Sequence, residues 1–154
     1  LPLKIINPAL GLTLVDSLQK RVGFLREMIT LLGLNGAEAI HGRAEELGQQ
    51  KPYREKYDLV VSRAVAGLAV LVEYCLPFVK PGGVMLAYKG AEGEQEMEGA
   101  RKAVALLGGE FAGVKTFDLP LEMGKRTIIG IKKVKQTPGA YPRKPGLPGK
   151  KPLQ

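Results

Sequence analysis

The run Leu12-Thr13-Leu14-Val15-Asp16-Ser17 constrains this chain more than any other stretch. It is apolar and β-branched, and it stops at a carboxylate. A helical repeat follows at once: Leu18, Val22, Leu25, Ile29 and Leu32 recur at intervals of four and three residues, which is one face of an amphipathic helix. In an open parallel sheet, ligands bind beyond the carboxyl ends of the strands. Asp16 is therefore placed to accept both hydroxyl hydrogen bonds of a ribose. Asp16 or Ser17 can also cap the helix, with Gln19 three beyond Asp16 as in a capping box. Gly33 and Gly36 end it.

The same alternation continues. Residues 37–41 read as a second strand, and Gly42-Arg43-Ala44-Glu45-Glu46 turns into a brief helix. Residues 57–62 form a third strand with Arg63 at its carboxyl end. Leu68, Leu71, Val72, Cys75 and Leu76 make the next helical stripe. Lys80-Pro81-Gly82-Gly83 is a tight turn with glycine available for positive φ, and residues 84–88 form a fourth strand ending at Lys89-Gly90. Met97, Ala100, Val104 and Leu107 give a further helix, opened by Glu92, Glu94, Glu96 and Glu98. Acids there complement the helix dipole, and the spacing reads as a solvated face. Residues 111–119 and 127–134 form two strands too closely joined for a crossover helix, so they pair antiparallel. The pattern predicts an α/β fold with a mostly parallel sheet and a C-terminal antiparallel hairpin.

Charge separates the chain into a body, residues 1–134, and a basic Pro/Gly-rich arm, residues 135–154. From Lys132 onward there are seven basic residues and no acid, so removing them from the net charge of +8 leaves +1 for the rest. Such a tail favours a polyanionic partner, nucleic acid first. Prolines at 138, 142, 145, 148 and 152 predict an extended, polyproline-like arm that does not pack. One cysteine, Cys75, excludes an internal disulfide and reads as a core thiol. One histidine, His41, without a second His or Cys nearby, argues against zinc. No apolar run is long enough to span a membrane, and the expected compartment is the cytoplasm.

If the strands are parallel, Asp16, Ala44-Glu45, Arg63 and Lys89 all come to one rim. That rim offers a ribose acceptor, a site for an adenine edge and two cations. It offers no nucleophile–base pair and no metal set. Leu14-Val15-Asp16-Ser17, Lys20-Arg21-Val22, Gly42-Arg43-Ala44-Glu45-Glu46, Ser62-Arg63-Ala64-Val65-Ala66, Lys89-Gly90 and Tyr141-Pro142-Arg143-Lys144-Pro145-Gly146 together resemble the RsmG (GidB) small-subunit rRNA methyltransferases, in the same order and spacing across the chain. The resemblance implies a class I AdoMet-dependent methyltransferase fold and methylation of guanine N7 in the decoding-region loop of 16S rRNA, free or in the small ribosomal subunit. It implies S-adenosyl-L-methionine (AdoMet) as cofactor, held by Asp16, Ser17, Ala44, Glu45 and Arg63. Arg63 and Lys89 become the catalytic pair, and Lys89, Arg126, Arg143 and Lys144 the RNA contacts.

The family carries a first strand and a Gly-rich turn before the segment that residues 1–8 resemble. The sequence therefore reads as a truncated form, with weak or absent AdoMet binding expected of residues 1–154 alone. Unpaired strand edges would then favour an edge-mediated dimer. The alternative is a non-catalytic RNA-binding α/β module using the basic arm. A weaker third reading is a class I methyltransferase acting on protein or small molecules.

Overall fold

The computed structural model describes residues 1–63 and 65–153. They form two compact units, Leu1–Ala44 and Glu45–Gln154.

The first unit holds helix α1 (Pro2–Ile6), strand β1 (Leu12–Asp16), helix α2 (Gln19–Leu31) and strand β2 (Ala37–His41). β1 and β2 pair in parallel, with Asp16 opposite His41. Val22 is the fully buried anchor of α2, and Arg26 Nε donates to the Ala39 carbonyl at 3.0 Å, tying the helix to β2. The ends of the expected stripe, Leu18 and Leu32, are exposed. Capping also differs from the expected box. Leu18 occupies the cap position without a side-chain bond, while Asp16 Oδ1 accepts the Leu18 N–H at 2.8 Å. Asp16 therefore holds the turn before the helix. The first helix has an internal cation: Lys4 is buried, and its ammonium donates to the carbonyls of Pro8 and Leu10.

The second unit starts within the short helix α3 (Ala44–Leu47) and continues through β3 (Tyr57–Arg63), α4 (Leu68–Cys75), β4 (Val79–Lys89), α5 (Gln95–Leu106), β5 (Gly109–Asp118), β6 (Lys125–Lys133) and α6 (Leu147–Lys150). Its sheet has the order β3-β4-β6-β5. β3 and β4 are parallel, while β6 is antiparallel to both β4 and β5. The closing hairpin is thus antiparallel, as its short connection requires. The expected turn at Lys80-Pro81-Gly82-Gly83 is a bulge inside β4: Tyr57 pairs with Val79 and Leu59 with Val84, with the intervening residues looped out.

Side-chain period decides the core. Met85 and Ala87 on β4, and Thr127, Ile129, Ile131 and Lys133 on β6, point to the same face and are fully buried. Helices α4 and α5 cover that face with Leu68, Leu71, Val72, Ala100, Ala103 and Val104. Gly108 turns the chain out of α5 at φ +87°; a Cβ there would lie 2.3 Å from the Lys135 carbonyl oxygen, and the Gly108 carbonyl accepts the Val134 and Lys135 N–H groups. Cys75 is the core thiol expected of it, buried and pushed up to about 12 by desolvation, partly offset by a hydrogen bond with Ser62. Because the thiolate is the reactive form, Cys75 should resist iodoacetamide at pH 8 in the folded chain and react only on unfolding. Mass spectrometry of alkylated protein with and without denaturant checks this.

The C-terminal segment does not behave as the free arm its prolines suggest. Thr137, Pro142 and Pro148 are buried, and Tyr141 and Leu153 pack on the core cluster. The Arg54 guanidinium donates to the carbonyls of Thr137, Pro138 and Tyr141. Gln49 Nε2 donates to the Pro142 carbonyl. Arg143 grips Glu73 of α4 with its backbone N–H, Nε and Nη2. The physical reason lies in α4. Leu68, Val70, Leu71, Val72, Glu73 and Cys75 are all buried, and a helix buried on every side needs a second cover. Residues 137–153 supply it.

Candidate functional site

In the second unit, β3, β4 and β5 run in one direction, because β6 is antiparallel to both of its neighbours. Their carboxyl ends therefore lie on one side. An open pocket of about 590 Å³ forms there, lined by Arg63, Tyr88, Lys89, Gly90, Glu96, Phe117, Leu119 and Arg126. Of the residues expected on one rim, this pocket unites Arg63 and Lys89. It also brings in Arg126, an expected RNA contact.

The cations in the pocket are not equivalent. Lys89 Nζ lies 2.8 Å from Glu96 Oε2 and donates to the Ala66 carbonyl at 2.8 Å. The same Glu96 oxygen accepts the Leu68 N–H at 2.6 Å. Lys89 is only 11% exposed in its side chain. It braces the loop leaving β3, its charge is balanced, and one of its three ammonium donors remains for a ligand. Glu96 is therefore a member of the site and not the solvated acid its sequence context suggests. Gly93 lets the loop approach: a Cβ there would sit 2.7 Å from Lys89 Cβ and 2.9 Å from Thr127 Cβ.

Arg63 is exposed, and its side chain makes no hydrogen bond or ion pair among the described residues. Among the described residues, the Arg126 side chain donates only to the carbonyl of its neighbour Lys125, at 2.8 Å. With Lys89 and Glu96 cancelling, the pocket keeps two uncompensated guanidiniums beside the rings of Tyr88 and Phe117. Planar five-donor forks of this kind suit phosphate or the acceptor edge of a purine.

The remaining candidates are placed as follows. In the first unit, Asp16 ends β1 with its side chain 23% exposed; Oδ1 takes the Leu18 N–H, and Oδ2 lies 3.5 Å from Arg21 Nη1. An ionised carboxylate has about four acceptor sites, so Asp16 retains room for ribose hydroxyls. The Ser17 carbonyl lies 3.1 Å from His41 Nε2. Ala44 opens α3. Glu45 is buried, and its Oε1 accepts the Gly146 N–H at 3.0 Å, so one of its oxygens holds the C-terminal segment. Arg143 is engaged by Glu73, and Lys144 is exposed. Among the described residues, no group of three or more His, Cys, Asp or Glu could hold a metal ion. None of their helices is long and apolar enough to cross a membrane. The Ala64 of the Ser62-Arg63-Ala64 motif lies outside the described residues.

Tyr88, Glu96, Phe117 and Leu119 are pocket residues that sequence reasoning did not single out. Tyr88 stands directly before Lys89 at a strand end, a position that could have identified it. Glu96, Phe117 and Leu119 carry no comparable local signal.

The geometry can be set beside known proteins. The family profile for GidB, rRNA small subunit methyltransferase G, matches residues 1–128. The ribosomal RNA small subunit methyltransferase G of Lactobacillus acidophilus is 52% identical over 153 residues, covering 99% of this chain and 64% of that protein. The protein of the same name from Geobacillus kaustophilus is 51% identical over 154 residues, covering 100% of this chain and 65% of that one. The chain thus spans just under two thirds of the length of these relatives. Among solved structures, the 16S rRNA (adenine(1408)-N(1))-methyltransferase from Catenulisporales acidiphilia superimposes with a TM-score of 0.71 at 15% identity, covering 89% of this chain and 79% of that one. M. jannaschii TYW2 in complex with AdoMet superimposes at 0.59 with 14% identity, covering 79% and 57%. The fold is that of the class I AdoMet-dependent methyltransferases.

Proposed function

The chain belongs to the GidB family of small-subunit rRNA methyltransferases, and on that premise we propose that it forms part of an enzyme that methylates guanine N7 in the decoding-region loop of 16S rRNA. The observation that carries this reading is the pair of uncompensated guanidiniums, Arg63 and Arg126, in a pocket at the carboxyl ends of parallel strands. The bacterial cytoplasm, where small ribosomal subunits are found, is the compartment this reading implies.

AdoMet, when bound, supplies an electrophilic methyl group on a sulfonium. Asp16 would hold its ribose hydroxyls, with Ser17 and Ala44 alongside; Glu45 would meet the adenine edge with what its bond to Gly146 leaves free. Guanine N7 carries an unshared electron pair, so the chain need not remove a proton before transfer. What the residues must do is align. Holding two reactants at attack distance can supply many kcal/mol by itself. Arg63 and Arg126 can grip the guanine O6 or the flanking phosphates, leaving N7 open. Lys89, braced by Glu96, fixes the loop that carries the Arg63 side of the pocket. The exposed Lys132, Lys135, Lys144, Lys150 and Lys151 add affinity by counterion release.

The test is methyl transfer. The chain, alone and with the coding sequence that flanks it in its gene, is incubated with labelled AdoMet and either 16S rRNA or small subunits, and the RNA is digested to nucleosides. Labelled 7-methylguanosine supports the reading. Label confined to protein or to a small acceptor overturns it. RNA binding without transfer, in either form of the chain, would favour the non-catalytic module.

Within this reading, Arg63→Ala should lower transfer to 16S rRNA by roughly 10- to 100-fold, the range for one lost hydrogen bond to a charged group. The melting temperature should stay put, because Arg63 is exposed and unpartnered. Steady-state rates at several salt concentrations separate its two roles. A phosphate contact lowers the slope of log affinity against log salt by about one, whereas a contact to O6 leaves the slope unchanged.

A further inference from the structure

The hairpin that walls the pocket extends past it. Phe117 on the outgoing strand and Leu119 just past its end line the pocket, with Arg126 on the returning strand. Between them the tip is closed by the Leu119 N–H donating to the Gly124 carbonyl at 3.0 Å. Two consecutive residues there, Leu121 and Glu122, adopt left-handed backbone at φ +58° and +55°. Side chains disfavour that region, so two in succession mark a shape held against intrinsic preference. The tip also leaves Leu121 91% and Met123 62% exposed. Lys125 and Arg126 follow after Gly124 and pair with no carboxylate among the described residues. Glu122 is the acid at the tip.

We propose that the Leu121–Met123 tip is an RNA wedge: its apolar side chains enter the base stack beside the target nucleotide while Lys125 and Arg126 take the adjoining phosphates. The proposal rests on the function proposed above. A base to be modified must leave its stack, and the vacated neighbours then need a surface to lie on. Apolar side chains inserted between base steps serve that purpose. The pocket and the tip share one hairpin, so a base displaced by the wedge lies next to the cavity that receives it. Two adjacent cations beside two exposed apolar side chains match a stacked polyanion better than an apolar protein surface.

The test compares the wild-type chain with Leu121→Ser/Met123→Ser. Both positions are exposed, so the double variant should melt as the wild type does, and circular dichroism verifies that it is folded. The probe is an RNA hairpin bearing the 16S decoding-region loop, with 2-aminopurine beside the target guanine. Wild-type chain should raise the fluorescence as the neighbouring stack opens. The variant should bind about tenfold more weakly and leave the fluorescence dark. Both proteins should bind an unstructured oligonucleotide of the same sequence equally, since no stack needs opening there. Equal affinity and equal brightening on the hairpin would overturn the wedge. So would an equal loss on both RNAs, or a wild-type dimer by light scattering that the variant abolishes, which would make the tip a contact between copies. The fluorescence readout needs no methyl transfer, so a chain that opens the stack without producing 7-methylguanosine would refute the proposed reaction and leave the wedge standing.

Discussion

Lys133→Met should destabilise the second unit by about 3–5 kcal/mol, the range for breaking a buried ion pair by removing one partner. The Lys133 side chain is fully buried, and its ammonium donates to the Leu76 carbonyl at 2.6 Å, the Val79 carbonyl at 3.2 Å and Thr137 Oγ1 at 2.7 Å. It lies 3.1 Å from Glu55 Oε1. Methionine fills the volume but leaves a carboxylate and three oxygens without that donor. Glu55 is held at φ +52° and also accepts the Thr137 N–H at 2.8 Å, so it has little freedom to find a new partner. Urea titrations at pH 7 measure the loss, and adding Glu55→Gln should recover part of it.

The pH dependence of that difference has a definite sign. Burial pushes the Lys133 ammonium below its ordinary value of 10.5, with Glu55 opposing the shift. A depressed folded-state value means that the unfolded chain binds more protons in the window between the two. Stability contributed by Lys133 therefore rises with pH through that window. The stability gap between wild type and Lys133→Met should widen from neutral pH toward 10.5. A gap that narrows instead would mean the ammonium is stabilised by folding.

The second large effect is expected at Arg143. Glu73 is fully buried in its side chain, and Arg143, 20% exposed, supplies its charge partner at 2.6 Å. Hydrogen bonding to Glu73 also raises the already high guanidinium pKa, so Arg143 stays charged across the working pH range. Arg143→Ala should cost about 3 kcal/mol, the low end for a broken buried pair, because some solvent already reaches the arginine. Arg143→Lys should restore only part of the loss, since an ammonium cannot reproduce the two-nitrogen fork. Thermal melts of the three proteins check the order wild type, lysine variant, alanine variant. A neutral alanine variant would mean that Glu73 finds another partner or water.

Both cases show what local sequence conceals. Lys132 and Lys133 look alike in a basic run, yet strand period puts one outside and the other in line with Thr127, Ile129 and Ile131. The alternation was readable; the acid that makes it tolerable, Glu55, lies across the fold and was not. Proline spacing describes backbone preference and says nothing about what a helix as deeply buried as α4, with Glu73 among its buried residues, needs over its outer face. The elements themselves were legible because their periods are strong. Arg63 and Lys89 were legible because strand ends are marked by the change from apolar to charged residues. The different duties of Arg63 and Lys89 were not, since they depend on where Glu96 of α5 reaches.

The grip of Arg143 on Glu73 has a bearing on how the protein is made. The two residues are 70 positions apart, so the acid leaves the translating ribosome well ahead of its partner. At roughly 5–20 residues per second, several seconds pass in which α4 cannot bury Glu73 without stranding a charge. Nascent chains interrupted in that interval should be prime clients for chaperones and proteases.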